Sequence, residues 1–227
     1  FSTSISVRKL ATAVGALTLL VQLATIPSLP PTAVASFRTL IEVLKRRTIR
    51  IALLVVLLVA SGQFAGFTYV RPFLETVPVM PIETISLVLL AYGIGGFFGN
   101  FAGAFLAERN LKLAVGLAPL LIALSALAML TIGASPVIAA IAVAAWGFAF
   151  GAVPVGLQTW LVRAAPDQAE SAGGLMVATF QVAIALGAVF GGLLVDHAGV
   201  ASAFGYGAMA TLLAALVTFA VGPKQAE

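Results

Sequence analysis

Apolar positions in this chain come in long unbroken runs, with the charged positions gathered between them. The runs cover residues 10–26, 51–70, about 82–106, 113–132, 136–162, 172–195 and about 201–221. A helix rises about 1.5 Å per residue, so roughly 20 apolar residues cross about 30 Å of hydrocarbon. Membrane barrel strands would need only about ten residues each, with polar alternates, and strict alternation is absent here. The pattern predicts an all-α integral membrane protein with seven transmembrane helices. Pro27, Pro30 and Pro31 close the first run and Gly222-Pro223 the last. Pro81 and Pro136 stand where first-turn prolines are tolerated.

Composition agrees with this reading and removes alternatives. Of 227 residues, 61% are hydrophobic and 9% charged. Soluble domains average about half apolar and about a quarter charged residues, so a soluble enzyme is excluded, and disorder has the opposite signature. The pI near 9.9 does not point to nucleic acid: the net charge is only +4, and the bases form no polar stripe. There is no cysteine, and the lone His197 cannot form a histidine cluster, so no metal or cofactor is expected. The chain opens on Phe1, and its first basic-then-apolar stretch runs too long and ends in prolines rather than at a cleavage site. It reads as a membrane span of a chain whose natural beginning is missing.

The placement of charge sets an orientation. With strict alternation of links, one side collects nine bases: Arg38, Lys45, Arg46, Arg47, Arg50, Arg109, Lys112, Arg163 and Lys224. The other collects three: Arg8, Lys9 and Arg71. The base-rich side is expected in the cytoplasm, with the N-terminus outside and the C-terminus inside. In the longest link, 27–50, Phe37, Leu40, Ile41 and Leu44 recur at helical spacing beside Lys45, Arg46 and Arg47. This predicts an amphipathic helix at the interface over 37–50; a solvated basic loop with one helical turn is the alternative.

Lipid gives helices little hydrophobic reason to associate, so small residues carry close contact. Gly95, Gly99 and Gly103 recur every four residues, as do Gly147 with Gly151 and Gly187 with Gly191. Each set predicts a smooth packing face. Pro154 is expected to kink the fifth run. No charged residue lies mid-span, so an intramembrane proton carrier is not expected in these residues. The deep polar groups are neutral: Gln63, Thr68, Tyr69, Asn100, Gln158, Thr179 and Gln181. Each needs a partner, because an unpaired amide in hydrocarbon costs several kcal/mol. A polar cavity would supply one, and so would bonding between helices. Trp146, Phe150, Pro154 and Gln158 lie four apart on one face, as do Gln63 and Phe67. An aromatic stripe ending in an amide suits a cavity for an amphipathic organic molecule; plain helix packing is the alternative. An intramembrane enzyme would need a paired acid or a Ser/Lys pair at depth, and a retinal receptor a lysine in the last run; neither is present.

Four passages carry a family resemblance. They are 62–75 (GQFAGFTYVRPFLE), 104–112 (AFLAERNLK), 146–160 (WGFAFGAVPVGLQTW) and 191–199 (GGLLVDHAG) followed by Phe204. They resemble the major facilitator superfamily, specifically the C-terminal half of a drug:proton-antiporter-type efflux permease of the sugar and nucleoside exporter kind. The second passage is similar to the loop motif Gly-x-x-x-Asp-Arg-x-Gly-Arg. It keeps an acid–base pair in Glu108 and Arg109 and departs at Ala104, Glu108 and Leu111.

The resemblance implies helix six of a parent protein over 1–26, a cytoplasmic linker over 27–50, a six-helix bundle over 51–222 and a tail over 223–227. It also implies alternating access about a midplane cavity. Gln63, Phe67, Asn100, Trp146, Phe150, Gln158 and Gln181 would line that cavity, and Glu108, Arg109 and Lys112 would form a conformational latch. The implied partners are a small-molecule substrate, protons, the inner-membrane bilayer and the missing helices one to five. The expected activity is proton-coupled efflux of a sugar, nucleoside or drug. Alternatives are a fragment that transports nothing by itself and a seven-helix receptor.

Overall fold

The computed structural model describes Thr12, residues 15–22 and 24–25, and residues 37–223. Residues 1–34 and 35–227 are separate compact units. In the first, 15–22 and 24–25 are helical; the rest of the expected first span lies outside the described residues, as do Lys224 and Glu227.

The described residues of the second unit are helices joined by short links. Its elements are α1 (Phe37–Lys45), α2 (Arg47–Phe67), α3 (Val70–Thr76), α4 (Ile82–Arg109), α5 (Leu111–Ile132), α6 (Pro136–Ala164), a 3-10 turn (Pro166–Gln168), α7 (Ala169–Ala198) and α8 (Val200–Val221). Among the described residues, six helical stretches are long and apolar enough to cross a membrane: α2 with α3, then α4 to α8. The protein is an all-α, multi-pass membrane protein. The helices outrun the charge-free runs by a turn or less, because long basic side chains can lie along a helix end and reach water. Arg47 and Arg50 belong to the first turn of α2, and Arg109 and Arg163 to the last turns of α4 and α6.

Local chemistry sets the boundaries. Asn110 caps α5, its side chain accepting from the Leu113 N–H at 3.0 Å. Gly199 turns the chain between α7 and α8 at φ 78°, a backbone conformation that glycine adopts without penalty. The linker helix ends at Lys45 rather than running to Arg50, because Arg46 is extended at φ −70°, ψ 121°. Of its expected apolar stripe, Leu40 is half-buried while Ile41 and Leu44 are 43% and 37% exposed; the fully buried residue is Val43, which lies outside that stripe.

The one interruption of a spanning stretch among the described residues does not fall at a proline-bearing position of α6. Helix α6 continues through Pro154. The interruption lies instead at Thr68–Tyr69, between α2 and α3. There the Tyr69 N–H bonds Gly66 O at 3.1 Å, a tightened turn, and Thr68 Oγ1 donates to Phe64 O at 2.6 Å. Thr131, Thr159, Thr211 and Thr218 make the same bond in unbroken helices, so the feature particular to this turn is Pro72, which has no N–H for the Thr68 carbonyl.

In the bundle α4 packs on α6, α6 on α5, α5 on α8, and α8 and α7 on α2. Only 17% of the apolar stretch of α4 and of α7 is buried, against 39–56% in the other four. These two helices therefore carry the open sides of the bundle. Glycines make the α4–α6 contact unusually close. A Cβ on Gly95 would sit 2.7 Å from Ala144 O, and one on Gly103 2.7 Å from Ala152 Cα; one on Gly99 would run into the Phe148 carbonyl. From the other side, Gly147 faces the Tyr92 carbonyl and Gly151 that of Gly96. Gly187 and Gly191 of α7 lie on Ser61 and Ala65 of α2.

Candidate functional site

One buried polar cluster joins three helices. Gln63 of α2 is 1% exposed and Trp146 of α6 is fully buried. The Trp146 Nε1–H donates to Gln63 Oε1 at 2.5 Å, and Gln63 Nε2 donates to the Tyr92 hydroxyl of α4 at 2.9 Å. The glutamine amide is thus spent on two aromatic partners, which removes the cost of burying it. Gly66, one turn on from Gln63, opens the slot for the indole: a Cβ there would lie 2.7 Å from the Trp146 ring. Phe204 closes the far side of Trp146 edge-on, with ring centroids 5.9 Å apart.

An aromatic wall extends from this cluster. Phe67 stacks on Tyr92 with centroids 4.4 Å apart and an interplanar angle of 29°. Phe64 meets Phe150 of α6 and Phe180 of α7 edge-on, at 6.1 and 6.2 Å. Phe64, Phe67, Tyr92, Phe150 and Phe180 are all half-buried, so each keeps part of its ring uncovered. Because Tyr92 accepts from Gln63, its own O–H proton is free to donate to something else.

The residues singled out in the sequence thus divide. Gln63, Phe67, Trp146 and Phe150 share this cluster and its wall. Asn100, Gln158 and Gln181 are exposed on α4, α6 and α7 and take no part in the hydrogen bonds just described. Phe64, Tyr92 and Phe180 were missed by sequence reasoning. The usable signal for Tyr92 was a lone phenol next to a glycine-rich helix face. Among the described residues no three His, Cys, Asp or Glu side chains gather as a metal site would require.

The latch residues do not pair with one another. Arg109 lies with its guanidinium carbon 4.1 Å from the centroid of the Phe105 ring, a cation–π contact. Glu108 is exposed, and among the described residues it makes no ion pair. The long-range ion pair of this end of the bundle is a different one. Arg46, at the α1–α2 junction, forks onto Asp167 in the turn before α7, with N–O distances of 2.7 and 2.5 Å. That hydrogen bonding holds the Asp167 carboxyl below the usual carboxylate range.

Two cavities lie away from the aromatic wall. One, of about 420 Å³, is almost wholly apolar and sits between α4, α5 and α6, bordered by Gly103, Leu106, Leu117 and Ala152. The other opens among the ends of α2, α5, α6 and α8.

A family model described as Major Facilitator Superfamily matches residues 9–182. Similar curated proteins are the purine ribonucleoside efflux pumps NepI of Salmonella enteritidis PT4, Salmonella gallinarum and Salmonella paratyphi B. Each is 37% identical over 195 residues, covering 86% of this chain and 49% of the relative. The chain spans about half the length of the curated relatives it matches.

Proposed function

This chain belongs to the Major Facilitator Superfamily, and we propose that it supplies one half of a secondary transporter that exports a small organic solute. A purine ribonucleoside is the substrate class best supported, by the names of the relatives and by the chemistry of the aromatic wall. The observation that carries the reading is the Gln63–Tyr92–Trp146 cluster. Its amide fixes the phenol and the indole, and leaves a hydroxyl donor beside partly uncovered rings. A flat heteroaromatic base stacks on such rings for about 0.5–1.5 kcal/mol per pair beyond its buried area, and its ring nitrogens and carbonyls accept from the phenol.

In this reading Gln158, Gln181 and Asn100, exposed on α6, α7 and α4, face the substrate path that a second bundle closes. Transport proceeds by alternating access, and the coupling protons titrate on residues outside this chain, in helices corresponding to one to five of the relatives. Glu108, Arg109 and Lys112 bias the balance between the two access states. The orientation proposed is a cytoplasmic base-rich side in a bacterial-type inner membrane, with the first residues outside. The helix over 1–26, the linker over 27–50 and the bundle over 51–222 are proposed as the successive parts of the chain.

The test uses labelled inosine loaded into cells that lack the gene and into cells with it restored in full. Restored cells should clear the label faster, and Gln63→Ala should abolish the gain. The 227-residue chain produced alone should clear none. Equal retention of every purine ribonucleoside with and without the gene would remove that substrate class. Single cysteines at Lys45 and Glu75 should label from the cytoplasm and from outside respectively; the reverse would overturn the orientation.

A further inference from the structure

The second cavity, of about 920 Å³, is lined by Arg47, Lys112 and Arg163 together with Thr48, while Ile51 and Val221 give it an apolar side. Among the described residues no carboxylate lines it. Among the described residues the ion pairs are Arg38–Glu42, Arg46–Asp167 and Arg71–Glu75, so none of the three bases is neutralised. Three like charges around one cleft repel one another unless an anion sits between them.

The placement of two of these bases sharpens the point. A cation is favourable at the carbonyl end of a helix and unfavourable at the amide end. Arg163, in the last turn of α6, is correctly placed. Arg47 and Lys112 occupy the first turns of α2 and α5, where the helix field opposes them. Moreover the N-cap of α2, Arg46, gives no side-chain bond to the free amides of that turn. The uncapped amide end of α2 and three bases outside any ion pair among the described residues make a site of one sign, and that arrangement suits phosphate.

We propose that this cleft holds the phosphodiester headgroup of an anionic phospholipid. Its position and lining argue for a lipid over a soluble phosphate. It lies among the ends of spanning helices, at headgroup depth, and pairs its bases with an apolar side that suits the glycerol and upper acyl chain. Clusters of bases at helix ends recognise lipid headgroups in this way. The site stands apart from the Gln63 cluster, and its test needs no transport.

The experiment places the whole 227-residue chain in nanodiscs of phosphatidylcholine, with and without phosphatidylglycerol. An amine-reactive reagent then labels the lysines, and peptide mass spectrometry reads Lys112 against Lys45 as an internal reference. Phosphatidylglycerol should slow Lys112 labelling about fivefold or more relative to Lys45, the weight of roughly one base beside an anionic headgroup. Inorganic phosphate added to phosphatidylcholine discs should leave the ratio unchanged. In the double variant Arg47→Gln, Arg163→Gln the lipid effect should vanish, and Arg47→Lys, Arg163→Lys should retain it. Equal Lys112 labelling in both lipids, protection by inorganic phosphate alone, or protection that survives the glutamine double variant would each overturn the proposal. The comparison of lipids on the unaltered chain stands whether or not the variants fold.

Discussion

Trp146 and Gln63, 83 positions apart in the chain, share a 2.5 Å hydrogen bond between an indole N–H and a side-chain carbonyl. The bond pins α6 to α2, and through Gln63 Nε2 and Tyr92 it reaches α4. Three of the six spanning stretches are thereby registered at one depth by a single amide.

Removing that amide should be costly. Gln63→Leu keeps the bulk but leaves the buried Trp146 N–H without a partner, at about 1–3 kcal/mol. Thermal unfolding in detergent should show a lower midpoint than the unaltered chain. Phe67→Leu, which removes only a stacking contact, should cost less.

Two glycines on α4 give opposite expectations. At Gly99 an added methyl meets the Phe148 carbonyl, whereas at Gly93 it meets nothing within 4 Å. Gly99→Ala should destabilise by about 1–3 kcal/mol through overpacking. Gly93→Ala should be neutral or gain up to about 1 kcal/mol from helix propensity. Comparing the two unfolding midpoints checks both.

The Arg46–Asp167 fork should respond to acid and not to mild changes of pH. The Asp167 carboxyl titrates below its ordinary value of about 3.9. A group depressed on folding adds stability above its unfolded pKa and loses it as pH falls through the folded one. Protection of the amides around Arg46 and Asp167, corrected for the intrinsic pH dependence of exchange, should therefore hold steady from neutrality to about pH 4 and fall below it. Asp167→Asn should show lower protection than the unaltered chain above about pH 4 and converge with it in stronger acid.

The exposed amides should separate stability from activity. Asn100→Ala, Gln158→Ala and Gln181→Ala each remove an exposed side chain, so unfolding should shift by no more than about 0.5 kcal/mol. Nucleoside export by the full-length transporter should fall for at least one of them. Glu108→Gln, exposed and without an ion pair here, should follow the same pattern.

The parts of this fold that were legible in the sequence depend on local pattern. Charge-free runs mark spans because every residue of a span meets the same solvent, and four-residue glycine spacing marks a face because a helix repeats at that interval. What was not legible depends on partners distant in sequence. Gln63, Gln158 and Gln181 look alike as isolated amides in apolar runs. Only packing decides that Gln63 finds Trp146 and Tyr92 while the other two stay open. The break at Thr68–Tyr69 was missed although it carries a signal: Pro72, four residues after Thr68, has no N–H to return to the Thr68 carbonyl. Pro154, the more conspicuous breaker inside an apolar run, lies within a continuous helix.

The mutual fit of α4 and α6 has a mechanical meaning. Gly95, Gly99 and Gly103 admit the backbone of α6, and Gly147 and Gly151 admit that of α4. Each helix is a key in the other's lock, so neither can roll about its own axis without driving a carbonyl into a neighbouring chain. The pair behaves as a girder. Gly187 and Gly191 seat α7 on α2 in the same way, so the bundle holds two such pairs, and the Gln63 amide is the polar tie between them.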